Sequence, residues 1–435
     1  MLKLIKQHSV LALTLLAIFL VKIPPFYFLG ITSTLLTSHT LARYLIFALF
    51  LVSAWQVFFG KGEAISQNGR NLTFVFLAYF FFQSFSVVGA ESVEAFARVY
   101  KDIVFPGFFL FVVLFQTGIA NGLAKIFVAA GIVNFFYQMA ILLVPGAFRL
   151  FGERFIYSEH FQLVDINIQR GRLFVETYDE IAIPVILLLL FKEKRSKVRL
   201  GYLLVLVMIV VPSLLSNFRT RFLMLFFALT ASFLIVVGGR LKAKLSLIGS
   251  LFVLAFIAHS VSFYFFGFSF LNRLALEDPG EDVQTIQSRF ANLKASLDMG
   301  LARPLSGVGL NNYYYHLSEG RKGLFSISLN LARQREAEFA SVNPHNIFAQ
   351  IISETGILSF CFYLFMLGFF AKADIGIFKG KDGLKKSLAI SFWTLFLYSI
   401  FNPTATLAYN SLFWILRAAL IQDSPLRSLG NRSSA

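Results

Sequence analysis

Charge is scarce in this chain: Asp, Glu, Lys and Arg together make up 14% of its 435 residues. A soluble globular domain carries about 25%, so a solvated globular fold is excluded. Acidic residues are the rarer sign, 23 against 39 basic ones. Cysteine is reduced to Cys361, inside an apolar segment, which excludes an intrachain disulfide and leaves the redox compartment unread. Several signatures of catalysis are missing as well. There is no P-loop, no zinc-type His/Cys spacing, no Gly-x-Ser-x-Gly and no Asp-x-Asp for a metal-bound nucleotide sugar. A pI near 9.9 would fit nucleic acid, but the cations gather between apolar runs, where a membrane surface explains them. No nucleic-acid partner is expected.

What the chain has in quantity is apolar sequence. Hydrophobic residues reach 57%, with 54 Phe, and the mean hydropathy is +0.71. Apolar segments fall near 9–31, 41–60, 71–89, 103–119, 122–146, 180–191, 200–216, 222–239, 246–266, 346–371, 387–402 and 404–422. Runs of this length predict an all-α polytopic membrane protein of about 12 spans. Lys3 and Lys6 precede the first run, but Lys22-Ile23-Pro24-Pro25 follows it where a signal peptide would place small residues. An uncleaved first span is expected.

With the N-terminus inside, one set of loops collects Lys61, Arg70, Lys125, the runs 192–199, 240–244 and 372–386, and the tail with Arg427 and Arg432. That set satisfies the positive-inside rule and places both termini in the cytoplasm. The expected organisation is N-terminal spans over 1–147, a first large outer loop over 148–179 and central spans over 180–266. A second large outer loop over 267–345 and C-terminal spans with a cytoplasmic tail over 346–435 complete it. Ile286, Phe290, Leu293 and Leu297 in the second loop share one helical face, which Pro304 and Gly307 end. They predict an amphipathic helix lying on the outer membrane surface.

The two basic residue types divide between the faces. Lysine dominates the inner loops. The large outer loops and the outer turn at 216–222 carry mostly arginine, from Arg149 to Arg335, beside Lys294 and Lys322. Guanidinium is a planar five-donor fork suited to phosphate, whereas ammonium is a strongly hydrated point charge. The outer face therefore reads as a surface for an anion, with a diphosphate the natural candidate.

Four stretches carry the candidate chemistry. His345 stands where the long polar loop returns to an apolar helix, and an imidazole there can titrate near neutral pH. A lone membrane histidine is more often structural, but this one faces an arginine-rich surface. Glu354 follows nine residues later; in a continuous helix it lies on the opposite face, roughly 13 Å deeper. It is a functional candidate by default, with helix-to-helix hydrogen bonding the favoured role. Arg219 and Arg221 open a span after Ser216-Asn217-Phe218; as regular helix they point about 200° apart, so one faces the site. Arg170, Arg172 and Arg289 are further outer cations, and any one of them alone reads as solvated. The acidic cluster 277–282 is weighed as a cation site and read instead as a solvated turn.

His345-Asn346 followed by Glu354-Thr355-Gly356 resembles the motif of the O-antigen ligase and polymerase superfamily. Gly307-Val308-Gly309-Leu310-Asn311 is similar to that family's Gly-x-Gly segment, Thr220-Arg221 to its Ser/Thr-Arg pair, and Arg172-Leu173-Phe174 to its arginine ahead of an Asn-containing segment. Here Tyr178-Asp179-Glu180 stands in place of that last segment. The resemblance covers roughly 170–358. It implies a GT-C-like, metal-independent, cofactor-free glycosyltransferase of the bacterial inner membrane, with its site facing the periplasm. Such enzymes take a glycan from undecaprenyl diphosphate; ligases pass it to the lipid A core, polymerases to another lipid-linked repeat unit.

The chemistry agrees with that implication. A sugar hydroxyl is a poor nucleophile and needs a base near pH 7, a role His345 suits. The departing diphosphate gathers charge that Arg221, Arg172, Arg289, Arg219 and Arg170 are placed to meet. A single displacement inverts the anomeric configuration. Asn346, Gly356, Gly307 and Gly309 enter as motif residues. Of the rival readings, a transporter would place charge near the midplane and a lipid-linked glycan flippase would need a cationic cavity reaching across the membrane; the arginines gather in outer loops instead.

Overall fold

The computed structural model describes residues 2–27, 37–59, 66–116, 118–144, 155–156, 177–216, 218–236, 249, 292–317, 344, 346–402 and 406–421. The described residues are helical, linked by short turns and isolated bridges. In chain order the helices are α1 (Leu2–Lys22), α2 (Ser38–Phe59), α3 (Gln67–Phe85), α4 (Val93–Leu114), α5 (Ile119–Leu143), α6 (Ile183–Lys192) and α7 (Ser196–Leu215). They continue as α8 (Arg219–Ile235), α9 (292–302), α10 (Tyr313–Leu317), α11 (Ile347–Lys379), α12 (Gly383–Phe401) and α13 (Leu407–Ile421). A 3₁₀ turn, Asp179–Ala182, leads into α6.

Five of these helices are long and apolar enough to cross a membrane: Ser38–Val57, Gln67–Gly89, Ile119–Ile141, Ser196–Leu215 and Ile347–Lys379. Ser9–Lys22 and Leu407–Ile421 are shorter apolar helices. The expected span at 246–266 lies, but for residue 249, outside the described residues. In an apolar medium every backbone polar group must be satisfied internally, and the helix starts show how. Ser66, Ser92, Asn346 and Asp382 each accept backbone N–H bonds from the first turn that follows them.

Two boundaries differ from the sequence expectation. The fourth apolar run, expected at 103–119, is helical up to Leu114, as the second half of a helix that begins at Val93. Its polar first turns carry Arg98, Lys101 and Asp102, and Asp102 pairs with Arg43 of α2. Apolarity alone hides such a helix start. The tenth span does not stop near residue 371 but runs to Lys379, so the basic stretch 372–386 is largely helix. Asp374 on this extension meets Arg417 of α13 through two bonds of 2.8 and 2.7 Å, and the Trp393 indole N–H donates to the same carboxylate at 2.7 Å. Phe392 stacks on the guanidinium at 3.4 Å. Burying a charge pair costs desolvation that only a full set of partners offsets.

Helix α13 is buried along nearly its whole length, as a helix apolar on all sides should be. It packs against α4 and α12. Around it α12 touches α8 and α6, α11 touches α12 and α3, and α5 touches α1 and α7. The end of α3, the starts of α4, α6, α8, α11 and α13 and the end of α12 are joined by side-chain and backbone bonds at one face of the bundle. The alternating topology requires those ends on one side. The described motif residues, Thr220-Arg221, Gly307–Gly309 and the start of α11, lie there.

Candidate functional site

The Gly-x-Gly turn and the Glu-x-Gly segment, far apart in sequence, dock backbone to backbone. Helix α11 is interrupted at Gly356, whose φ of 85° and ψ of 168° are not helical. The break frees carbonyls of the preceding turn to accept outside bonds. Val308 N–H donates to the Ser353 carbonyl at 2.8 Å, Gly309 N–H to that of Glu354 at 3.0 Å, and Leu358 N–H to that of Pro304 at 3.3 Å. The glycines are required by space as well as by torsion. A Cβ on Gly307 would lie 2.5 Å from the Glu354 carbonyl carbon, and one on Gly356 would lie 2.6 Å from the Pro304 oxygen. Both residues have positive φ, which glycine alone adopts without strain.

The same turn is fastened to the link between α3 and α4. Asn312 and Ser92 exchange two bonds, at 2.7 and 3.1 Å, and Arg303 donates to the Gly89 carbonyl at 2.8 Å. The Glu354 carboxyl accepts from Gln350 at 3.1 Å within its own helix, and its backbone carbonyl takes the Gly309 bond of the turn. Helix-to-helix bonding was the expected role of Glu354. The structure gives it a helix-to-turn contact instead, because the break at Gly356 admits the turn against the helix.

Asn346 fixes where α11 begins. Its side-chain oxygen accepts from the Phe348 and Ala349 amides at 2.8 and 3.2 Å, and its amide donates to the Ile400 carbonyl at 2.9 Å. With Asn346 as the cap, φ −158°, the helix starts at Ile347. The angular relation expected between His345 and Glu354 therefore does not apply, since position 345 precedes the cap. His345 itself lies outside the described residues, between the buried Pro344 and Asn346. Arg170, Arg172 and Arg289 also lie outside them, as does the acidic cluster 277–282. Of the expected amphipathic helix, 292–302 is described, ending before Pro304; Leu293, Leu297 and Leu301 form an exposed row along it.

Arg221 is buried rather than snorkelling, with 4% of its side chain exposed; Arg219, two residues away, is half-buried. The Arg221 Nε donates to Glu180 at 2.7 Å, one terminal nitrogen to Gln138 at 2.8 Å and the other to Ser213 at 3.3 Å. Ser213 donates to the same Glu180 oxygen at 2.6 Å. Beside this group Asp179 accepts from Lys22 at 2.8 Å, Asn134 at 2.6 Å, Gln138 at 2.9 Å and Thr177 at 2.6 Å. Lys22 also donates to the Thr177 carbonyl. Gln138 joins the two ion pairs, so four helices and the 3₁₀ turn share one charge-balanced network.

Lys22, Asp179, Glu180, Gln138 and Asn134 were not among the expected site residues. The signal that could have found them is the cost of an ionisable group in an apolar span. Lys22 closes the first span and Glu180 opens the sixth. The Asp179-Glu180 pair that departs from the family's usual segment is the partner set of Lys22 and Arg221.

Residues 213–364 match the family model described as O-antigen ligase. The match takes in Thr220-Arg221, the Gly307–Gly309 turn and the segment from His345 to Gly356. It supports placing the chain in the O-antigen ligase superfamily, and with it a membrane glycosyltransferase-like activity. The docking of residues 307–309 onto 353–356 lies wholly within the matched stretch. No curated protein matches the chain.

Proposed function

We propose that this protein is a lipid-dependent, metal-independent, inverting glycosyltransferase of the bacterial inner membrane. It moves a glycan from undecaprenyl diphosphate to a sugar hydroxyl of the lipid A core at the periplasmic face. The observation that carries the reading is the backbone docking of the two glycine motifs inside the O-antigen ligase match, immediately beside the capped start of α11. Asn346, the cap of the docked helix, follows position 345 directly. His345 acts as general base on the acceptor hydroxyl. Arg221 is the anchored cation: three of its donors are held by Glu180, Gln138 and Ser213, and two N–H groups of the five remain for the diphosphate. Arg172 and Arg289, with Arg219 and Arg170, complete the anion site.

The reading requires the motif face to be periplasmic. In a Cys361→Ala background, Ser158→Cys and Ser318→Cys should react with a membrane-impermeant thiol reagent in intact spheroplasts. Ser196→Cys, at the start of α7 on the opposite face, should not. Labelling in the reverse pattern would turn the motif face toward the cytoplasm and remove lipid-linked glycan transfer in the periplasm as its function.

A further inference from the structure

A second polar site lies beneath the docked turn, away from the arginine network. Between α3, α4, α11 and α13, roofed by Leu310, is a narrow, partly open cleft whose cavity volume of about 20 Å³ takes a group the size of one hydroxyl. Its polar lining is Tyr79, Gln83, Gln350, Glu354, Thr355 and Asn410, and none of these is a cation. Gln83 is 2% exposed and Gln350 9%. The side-chain N–H group of Gln83 and the side-chain oxygen of Gln350 are nevertheless buried without a hydrogen-bond partner. Gln350 is oriented by its other end, which donates to Glu354, so its oxygen is the free atom. Buried amides are ordinarily satisfied. A donor and an acceptor left open at one cleft are the complement of a hydroxyl group, which accepts from one and donates to the other.

The arrangement of helices separates this cleft from Arg221. Arg221 belongs to α8, which packs on α12; α12 packs on α11, and α11 meets α3 across the cleft. The α11–α12 pair thus has the Arg221 network on one flank and a polar lining without cations on the other. A transferase needs both kinds of pocket, one for an anionic leaving group and one for a neutral sugar.

We infer that the cleft holds a hydroxyl-bearing edge of the acceptor saccharide, with Gln83 and Gln350 as its binding groups and Glu354 as the residue that positions Gln350. The assignment rests on the glycosyltransferase reading and adds the place of the acceptor to it.

Gln83→Leu and Gln350→Leu test it. The open Gln83 amide nitrogen has no partner inside the protein, so Gln83→Leu should leave thermal stability unchanged or raised. Gln350→Leu also removes the 3.1 Å bond to Glu354 and should lower stability, so its constants are read on folded protein. With purified protein and a saturating lipid-linked donor, transfer would be measured against acceptor concentration. Lipid A core is the acceptor in one arm and a second lipid-linked repeat unit in the other. Each variant should raise the acceptor KM about tenfold in the arm the wild type uses, the worth of one lost hydrogen bond, while the donor KM stays fixed. A raised donor KM with an unchanged acceptor KM would give the cleft to the donor sugar and overturn the assignment. Unchanged constants would reduce the cleft to a site for water, and activity lost in Gln83→Leu together with thermal stability would make the glutamines structural. Wild-type protein that transfers to neither acceptor would instead overturn the glycosyltransferase reading itself, and the acceptor site with it.

Discussion

Replacing His345 with Gln is expected to slow glycan transfer by about 10²–10⁴, the usual cost of losing a general base. Folded protein and lipid-donor binding should be preserved. Gln keeps a polar group of comparable size but takes up no proton at neutral pH, so the variant separates proton transfer from shape. Position 345 precedes the Asn346 cap, and Asn346 supplies the bonds that start α11 and tie it to α12. Those bonds are unaffected by the substitution, so the amount of folded protein should not change. The base must be neutral to act, and the wild-type rate should therefore fall on acidification as the imidazole takes up a proton. Purified His345→Gln protein working at the wild-type rate would remove His345 from the mechanism.

The second large effect is expected at Arg221, and it comes in two parts. Arg221→Met leaves Glu180 buried without its cation, a loss of about 3–5 kcal/mol, and should sharply reduce the folded fraction in detergent. Arg221→Met combined with Glu180→Leu removes both charges and should recover folding, since apolar replacement of a whole buried pair is often neutral or stabilising. If Arg221 also meets the diphosphate, the refolded double variant stays inactive. Thermal unfolding and transfer rate measured on both variants separate the two contributions. A double variant that regains transfer would show that Arg221 serves only to neutralise Glu180. Arg221→Lys should also fail, because an ammonium cannot reach Glu180, Gln138 and Ser213 as the fork does.

The parts of this site that the sequence disclosed are those in which one residue type meets one local demand. Gly307, Gly309 and Gly356 can be marked as motif glycines before any coordinates, and each has a positive φ in the structure. Pro304 marks the end of α9 in the same way. Helical membrane character follows from apolar length alone. The partner of Arg221 was hidden for a different reason. Glu180 is 41 residues away in sequence, and the pair forms only when the 3₁₀ turn packs beside α8. Lys22 and Asp179 are 157 residues apart. No periodicity encodes such a meeting, although the price of a lone charge in an apolar span announces that a partner exists. Arg417 could have been read this way, since it lies inside an apolar run; its partner Asp374 was obscured by the lysines around it. The relation of position 345 to Glu354 cannot be taken from a helical wheel, because Asn346 moves the first helical residue to Ile347.

Glycosyl transfer without metal assistance is the central claim, and its most direct measurement is the product made by purified wild-type protein in EDTA. Undecaprenyl diphosphate-linked glycan and lipid A core, both free of other enzymes, would be incubated with the protein and the new linkage examined by NMR. A covalent product with the anomeric configuration inverted from that of the donor, formed at the same rate with or without EDTA, is the predicted result. A product that forms only with Mg²⁺, a product that retains the donor's configuration, or glycan moved across a proteoliposome membrane with no new bond would contradict it.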